Sequence, residues 1–138
     1  NNDLYEVLDG NGVILSIKQN YEGLSSLPLV VGKDASKNIN ALLALVNEIG
    51  SYQSEVLYYE WVGERRWDIH MKSELVFKLP ENNLNKGLEV MRMFLHEINK
   101  PSKPVVSVDL RNIDKPIIRF RKAPPVEYIK KNTRRLAG

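Results

Sequence analysis

The sequence contains no cysteine, which removes disulfides, thiolate metal sites and cysteine nucleophiles together and leaves the redox compartment unread. Its two histidines, His70 and His96, stand 26 positions apart with no carboxylate or thiol at a ligand spacing. Metal ligands come in sets, so each histidine is expected to be solvated or hydrogen-bonded. Long apolar runs are missing too. The longest, Ala41 to Val46, falls far short of the roughly 20 residues a membrane helix needs, and Asn1 opens no charged-then-apolar signal segment, so this stretch reads as soluble. There is no phosphate-cradling loop, because Gly10 and Gly12 sit in a hairpin turn rather than between a strand and a helix. No serine occupies a nucleophile elbow. Glu60, Glu64 and Asp68 could be imagined as a general acid/base set, but Arg65 and Arg66 lie among them and favour a surface salt-bridge ladder. The sequence thus supplies no catalytic residue, no metal ligand and no cofactor site, and no small-molecule substrate is expected.

What is present is one domain's worth of chain. The 138 residues are enough to bury about two thirds of the surface that the unfolded chain exposes. The net charge of +3 is unevenly spread: between Arg119 and Gly138 seven basic residues face Glu127 alone, so this end is +6 and the remainder is −3. A nucleic-acid-binding fold carries its basic residues in a patch or stripe on the fold itself, and a basic end on an acidic body argues against that function. It allows a second reading, in which the tail touches an anionic membrane surface.

Alternation and turn residues give the elements. Tyr5 to Ile17 reads as a hairpin around Asp9-Gly10-Asn11-Gly12, a sequence that supplies the positive φ of tight turns. Asn20 to Lys33 reads as a loop around Leu27-Pro28-Leu29. From Asp34 to Gly50 the residues Ile39, Leu42, Leu43, Val46 and Ile49 mark one helical face, with Asp34 or Ser36 able to cap its start and Gly50 its end. Val56 to Val62, then Trp67 to Met71, then Leu75 to Leu79 read as strands, the last two joined at Lys72-Ser73-Glu74. A second helix begins near Asn82 or Asn83, carries Leu84, Leu88, Met91, Leu95 and Ile98 on one face and stops at Lys100-Pro101. Val105 to Leu110 and Pro116 to Arg121 close the set of strands, and the segment after Pro124-Pro125 has no periodicity.

The predicted fold class is α+β, an antiparallel sheet with two amphipathic helices covering one side. Residues 1–122 form the domain and 123–138 an extended or disordered basic tail. The last strand is expected at a sheet edge, since no further periodic segment follows it, and Pro116 is a residue tolerated at an edge or strand start. An edge offers backbone donors and acceptors to an incoming segment. Ile118 and Phe120 would point one way, and Ile117, Arg119 and Arg121 the other. Arg65 and Arg66 either pair with the nearby carboxylates or present guanidinium groups to an acidic partner.

Three stretches in fixed order carry a resemblance: Leu27-Pro28-Leu29-Val30-Val31-Gly32, then Gly63-Glu64-Arg65-Arg66-Trp67-Asp68-Ile69, then Val108-Asp109-Leu110-Arg111. From about Leu4 to Arg121 the chain resembles the β domain of the FtsQ/DivIB family of bacterial cell-division proteins, in the form found in α-proteobacteria. The resemblance implies a non-enzymatic divisome scaffold. Its full-length form would be anchored in the inner membrane by a single helix and concentrated at the septum. A POTRA domain would precede this domain in the periplasm, and residues 1–20 would include the junction. It also implies FtsB-like and FtsL-like partners, other divisome components, and docking by strand addition along the last strand. Under that reading Arg111 meets an acidic partner residue, Phe120 is an aromatic contact, and Arg65 is a second basic contact, with Arg66 in its place if the register differs by one. Where the family has an aromatic directly after Asp-Leu-Arg, this chain has Asn112. The interface would then centre on Arg65, Arg111, Ile118 and Phe120 within a surface that includes Asn112, Pro116, Ile117, Arg119 and Arg121.

Overall fold

Asp9 closes the first hairpin with its own carboxylate, whose Oδ1 accepts from the backbone N–H of Asn11 (2.8 Å) and of Val13 (2.9 Å). Gly12 follows with φ +83°, the left-handed geometry such turns favour. Among the described residues the flanking strands, β1 (Tyr5–Leu8) and β2 (Ile14–Lys18), pair only with each other. In this computed structural model, residues 4–18, 27–98 and 105–121 are described. The predicted tail at 123–138, the helix stop at Lys100-Pro101 and the first half of the Asn20–Lys33 loop lie outside them.

Among the described residues six strands make the main sheet, in the order β3 (Val30–Val31), β4 (Val56–Val62), β5 (Arg66–Met71), β6 (Val76–Lys78), β7 (Val105–Asp109) and β8 (Ile117–Phe120). The short turns produce the expected antiparallel pairs β4–β5, β5–β6 and β7–β8. The pairs β3–β4 and β6–β7 are parallel, so the sheet is mixed. Each parallel pair is bridged by a helix, α1 (Ile39–Ile49) in the first case and α2 (Leu84–Ile98) in the second. Adjacent strands joined that way run in the same direction. β3 itself falls inside the segment predicted as loop. Two residues are too few to alternate visibly, and Gly32 ends the strand with φ +119° where an added Cβ would overlap the Trp61 carbonyl oxygen.

Cross-strand partners share a face, and the register draws two contrasting surfaces. On one, Val30, Tyr59, Ile69, Phe77, Val108 and Ile118 follow one another across the sheet, and all but the two outermost are buried. The helices cover this face and complete the core. α1 contributes Ile39, Leu42, Leu45, Val46 and Ile49. Leu45 therefore takes the place expected of Leu43, which is exposed and lies beside Gly10 of the first hairpin. α1 is preceded by a 3₁₀ turn at Ala35–Asn38, headed by Asp34 without a side-chain cap and containing Ser36, and the residue at the start of α1 is Asn38, which makes no side-chain cap either, so neither predicted residue caps α1. Gly50 ends α1 as predicted, with φ +61°. From α2, Leu88, Met91 and Leu95 enter the core. Arg92 ties the helices together by donating to the Glu48 carbonyl (3.0 Å) and carboxylate (2.9 Å). Among the described residues no helix is long and apolar enough to cross a membrane.

The other sheet face is polar. Val31, Glu60, Asp68, Lys78, Asp109 and Ile117 form one row across it, and Tyr58, His70, Val76, Ser107 and Arg119 the next.

Candidate partner-binding site

β8 is hydrogen-bonded to β7 on one side and has no strand on the other among the described residues, and all four of its residues are exposed. The side chains alternate as the sequence predicts. Ile117 and Arg119 pair with outer-face Asp109 and Ser107, whereas Ile118 pairs with buried Val108. Ile117, Ile118 and Phe120 expose 59, 37 and 48% of their surfaces, an apolar stretch on the strand at this end of the sheet. Edges of this kind are usually blunted or covered.

Three residues before β8 establish its entrance. Leu110 is fully buried, and its N–H donates to the Lys78 carbonyl (2.8 Å), which anchors the centre of Asp109-Leu110-Arg111 in the core. On either side of it Asp109 and Arg111 face outward and pair. Arg111 Nε lies 2.9 and 3.0 Å from Oδ1 and Oδ2 of Asp109, Nη2 lies 2.6 Å from Oδ2, and the Arg111 backbone N–H adds a bond to Oδ1 at 3.0 Å. This bidentate fork holds the Asp109 carboxyl below the usual carboxylate range and raises the Arg111 pKa in turn. Asn112 then shapes the turn: its Oδ1 accepts from Asp114 N–H (3.1 Å) and its carbonyl from Lys115 N–H (3.0 Å). Where the family resemblance implies an aromatic contact, Asn112 makes a turn. Asp109, Arg111, Asn112, Lys115 and Ile117 line an open depression of about 360 Å3 beside the edge. It carries two cations against one carboxylate, a setting suited to a partner carboxylate. Lys115 is an addition that the sequence reading did not single out.

Arg65 and Arg66 sit elsewhere. Arg65 ends the β4–β5 turn and Arg66 opens β5; in the turn Gly63 and Glu64 both have φ near +60° and Arg65 N–H donates to the Val62 carbonyl (3.2 Å). The order β5-β6-β7-β8 separates them from the edge by three strand spacings, roughly 14 Å. Arg66 is engaged: its Nε lies 3.3 Å from Asp68 Oδ1, with side-chain exposures of 14 and 8%. Burial pushes the Asp68 pKa up, and Arg66 pulls it the other way. Arg65 is exposed and makes no ion pair among the described residues. The expected salt-bridge ladder exists in altered form, with Arg66 on Asp68, Lys33 near Glu64 (3.7 Å), and Glu60 bonded to His70 Nε2 (2.8 Å). That last pair was hidden in the sequence, because only the β4–β5 register brings residues ten positions apart onto one face.

Comparison with known proteins bears on this arrangement. The sequence model of the family described as "Cell division protein FtsQ/DivIB, C-terminal" matches residues 1–111. The chain belongs to this family. The chain is 33% identical over 96 residues to a "Cell division protein FtsQ" of Rhizobium radiobacter, covering 70% of this chain and 46% of that protein. It is also 33% identical over 96 residues to one of Agrobacterium fabrum, covering 70% and 30%. A third, from Paracoccus denitrificans, is 28% identical over 115 residues, covering 83% and 34%. The chain thus spans less than half the length of these curated FtsQ relatives. The family match ends at Arg111, so β8 and the turn before it lie beyond the matched part of this FtsQ/DivIB domain.

Proposed function

We propose that this domain is the partner-binding part of a non-enzymatic cell-division scaffold, and that it takes an extended, acidic segment of an FtsB-like or FtsL-like protein as an added strand along β8. The observation that carries this reading is the edge position of β8, with all four residues exposed and no further strand beside it among the described residues. Backbone pairing would supply the affinity, and the side chains at alternate positions the choice of partner. The Arg111 and Lys115 depression beside the edge would take a carboxylate of the incoming strand. In the whole protein the domain would lie in the periplasm, joined to a single inner-membrane helix and gathered at the septum, where the scaffold would connect early division proteins to septal wall synthesis.

Isothermal titration of this chain with the periplasmic C-terminal segment of an FtsB-like protein from the same organism tests the reading. Saturable binding that both Arg111→Ala and Phe120→Ala weaken by about 1–3 kcal/mol is the expected result. Binding unaffected by either substitution would remove β8 as the site, and no binding at all would remove strand addition by this domain.

A further inference from the structure

We propose that Glu60, Asp68 and His70 form a binding site for Zn2+ on the outer face of the sheet. Glu60 and Asp68 are direct cross-strand partners in the β4–β5 register, and His70 follows Asp68 by two positions on the same face. One donor atom from each, an imidazole nitrogen and two carboxylate oxygens, lies within 4.8 Å of the others. Zinc bonds of about 2.0–2.2 Å set tetrahedral donors roughly 3.3 Å apart, so small side-chain rotations close the set around one ion. An imidazole with two carboxylates is a donor set that zinc accepts, and three protein ligands leave a fourth position for water.

Two features beyond proximity favour an ion there. The Asp68 side chain is 8% exposed, yet among the described residues it accepts only one hydrogen bond, at Oδ1 from Arg66 at 3.3 Å, and Oδ2 accepts none. That oxygen is not sealed from solvent and is open to a cation. The His70 ring is held in place by Tyr58, stacked at 4.2 Å and 18°, with Nε2 directed at Glu60 Oε1. Orientation of ligands by neighbouring groups is what metal sites require of their surroundings. Coordination would replace the proton now shared by His70 and Glu60, and would pin β4 to β5 just below the Gly63-Glu64 turn.

The test is a titration of chelator-treated, dialysed protein with ZnCl2 by calorimetry, with the visible spectrum of added Co2+ reporting the coordination number. One ion per chain is expected, with binding weakened at least about tenfold in both His70→Ala and the isosteric Glu60→Gln, and unchanged in His96→Ala. Should His70→Ala fail to fold, imidazole nitrogen NMR of the unmodified protein decides the matter: zinc must shift His70 and leave His96 in place. Absence of saturable binding, binding indifferent to Glu60→Gln, or zinc shifts at His96 alone would overturn the proposal.

Discussion

Asp109 holds the Arg111 guanidinium through both of its carboxylate oxygens, two residues away across a fully buried Leu110. The pair orients the arginine at the mouth of the depression beside β8, and it also half-neutralises it. Arg111→Ala would therefore remove a cation and in addition leave the Asp109 carboxylate facing an acidic partner. The expected outcome is that Asp109→Asn combined with Arg111→Ala binds the partner segment more tightly than Arg111→Ala alone. A double-mutant cycle measured by calorimetry gives the coupling. Equal affinities for the single and double variants would mean that the incoming strand does not approach this pair.

The same pair gives a dependence on pH. Arg111 lowers the Asp109 pKa below its ordinary value, so the pair adds stability above the unfolded-state pKa of about 3.9. That stability is lost as pH falls through the lower folded-state value. Arg111 is half exposed, and solvent screening keeps the contribution on the order of 1 kcal/mol or less. Urea denaturation of Asp109→Asn and the unmodified chain should differ at pH 7, and the difference should shrink as pH falls below about 3.9. A difference that does not diminish as the pH is lowered would assign the effect to something other than this ionisation.

Phe77 stands at the centre of the buried row, between Ile69 and Val108, and is fully buried. Phe77→Ala is expected to cost about 3–5 kcal/mol through lost burial and the cavity left behind. That is a large part of the stability of a domain this size. The urea midpoint of the variant checks the figure, and a cost below about 1 kcal/mol would show that the helices collapse onto the sheet without it.

Gly32 occupies a position only glycine fits. Its φ of +119° is outside the range of L side chains, and a Cβ there would overlap the Trp61 carbonyl oxygen as β3 runs beside β4. Gly32→Ala is expected to destabilise by about 1–3 kcal/mol from backbone strain, with further loss from detaching β3. Thermal unfolding with amide exchange at Tyr59, whose N–H donates to the Leu29 carbonyl at 2.9 Å, would report both effects.

The parts of this architecture that were legible in the sequence are those set by local spacing. Alternation at Trp67 to Met71 and Leu75 to Leu79, the Asp9 to Gly12 turn and the α2 stripe are each decided within a few residues, and each appears in the structure. Local spacing also named Leu43 as core, although Leu45 completes the face that Leu42, Val46 and Ile49 share. With six consecutive apolar residues from Ala41 to Val46 the pattern could not tell which ones the sheet would meet. The parallel pairs β3–β4 and β6–β7 depend on where a helix returns the chain, a tertiary fact. The same holds for the candidate sites. The edge position of β8 followed from chain order, whereas the Glu60–His70 bond and the joining of Lys115 to Arg111 depend on register and turn geometry that no short motif encodes.

Arg119 and Phe120 are neighbours on β8 but face opposite sides, and strand addition assigns them different kinetic roles. Arg119 lies on the polar face, beside Ser107, where an exposed charge steers an acidic partner without being sealed from water. Phe120 offers apolar area at the edge, the kind of side chain that anchors an interface. Arg119→Glu is expected to slow association, with an effect that shrinks in high salt. Phe120→Ala should mainly speed dissociation, with little dependence on salt. Stopped-flow binding at two ionic strengths separates them. If both substitutions changed only the association rate, and both effects vanished in salt, the contact would be a long-range electrostatic encounter rather than a strand paired against β8.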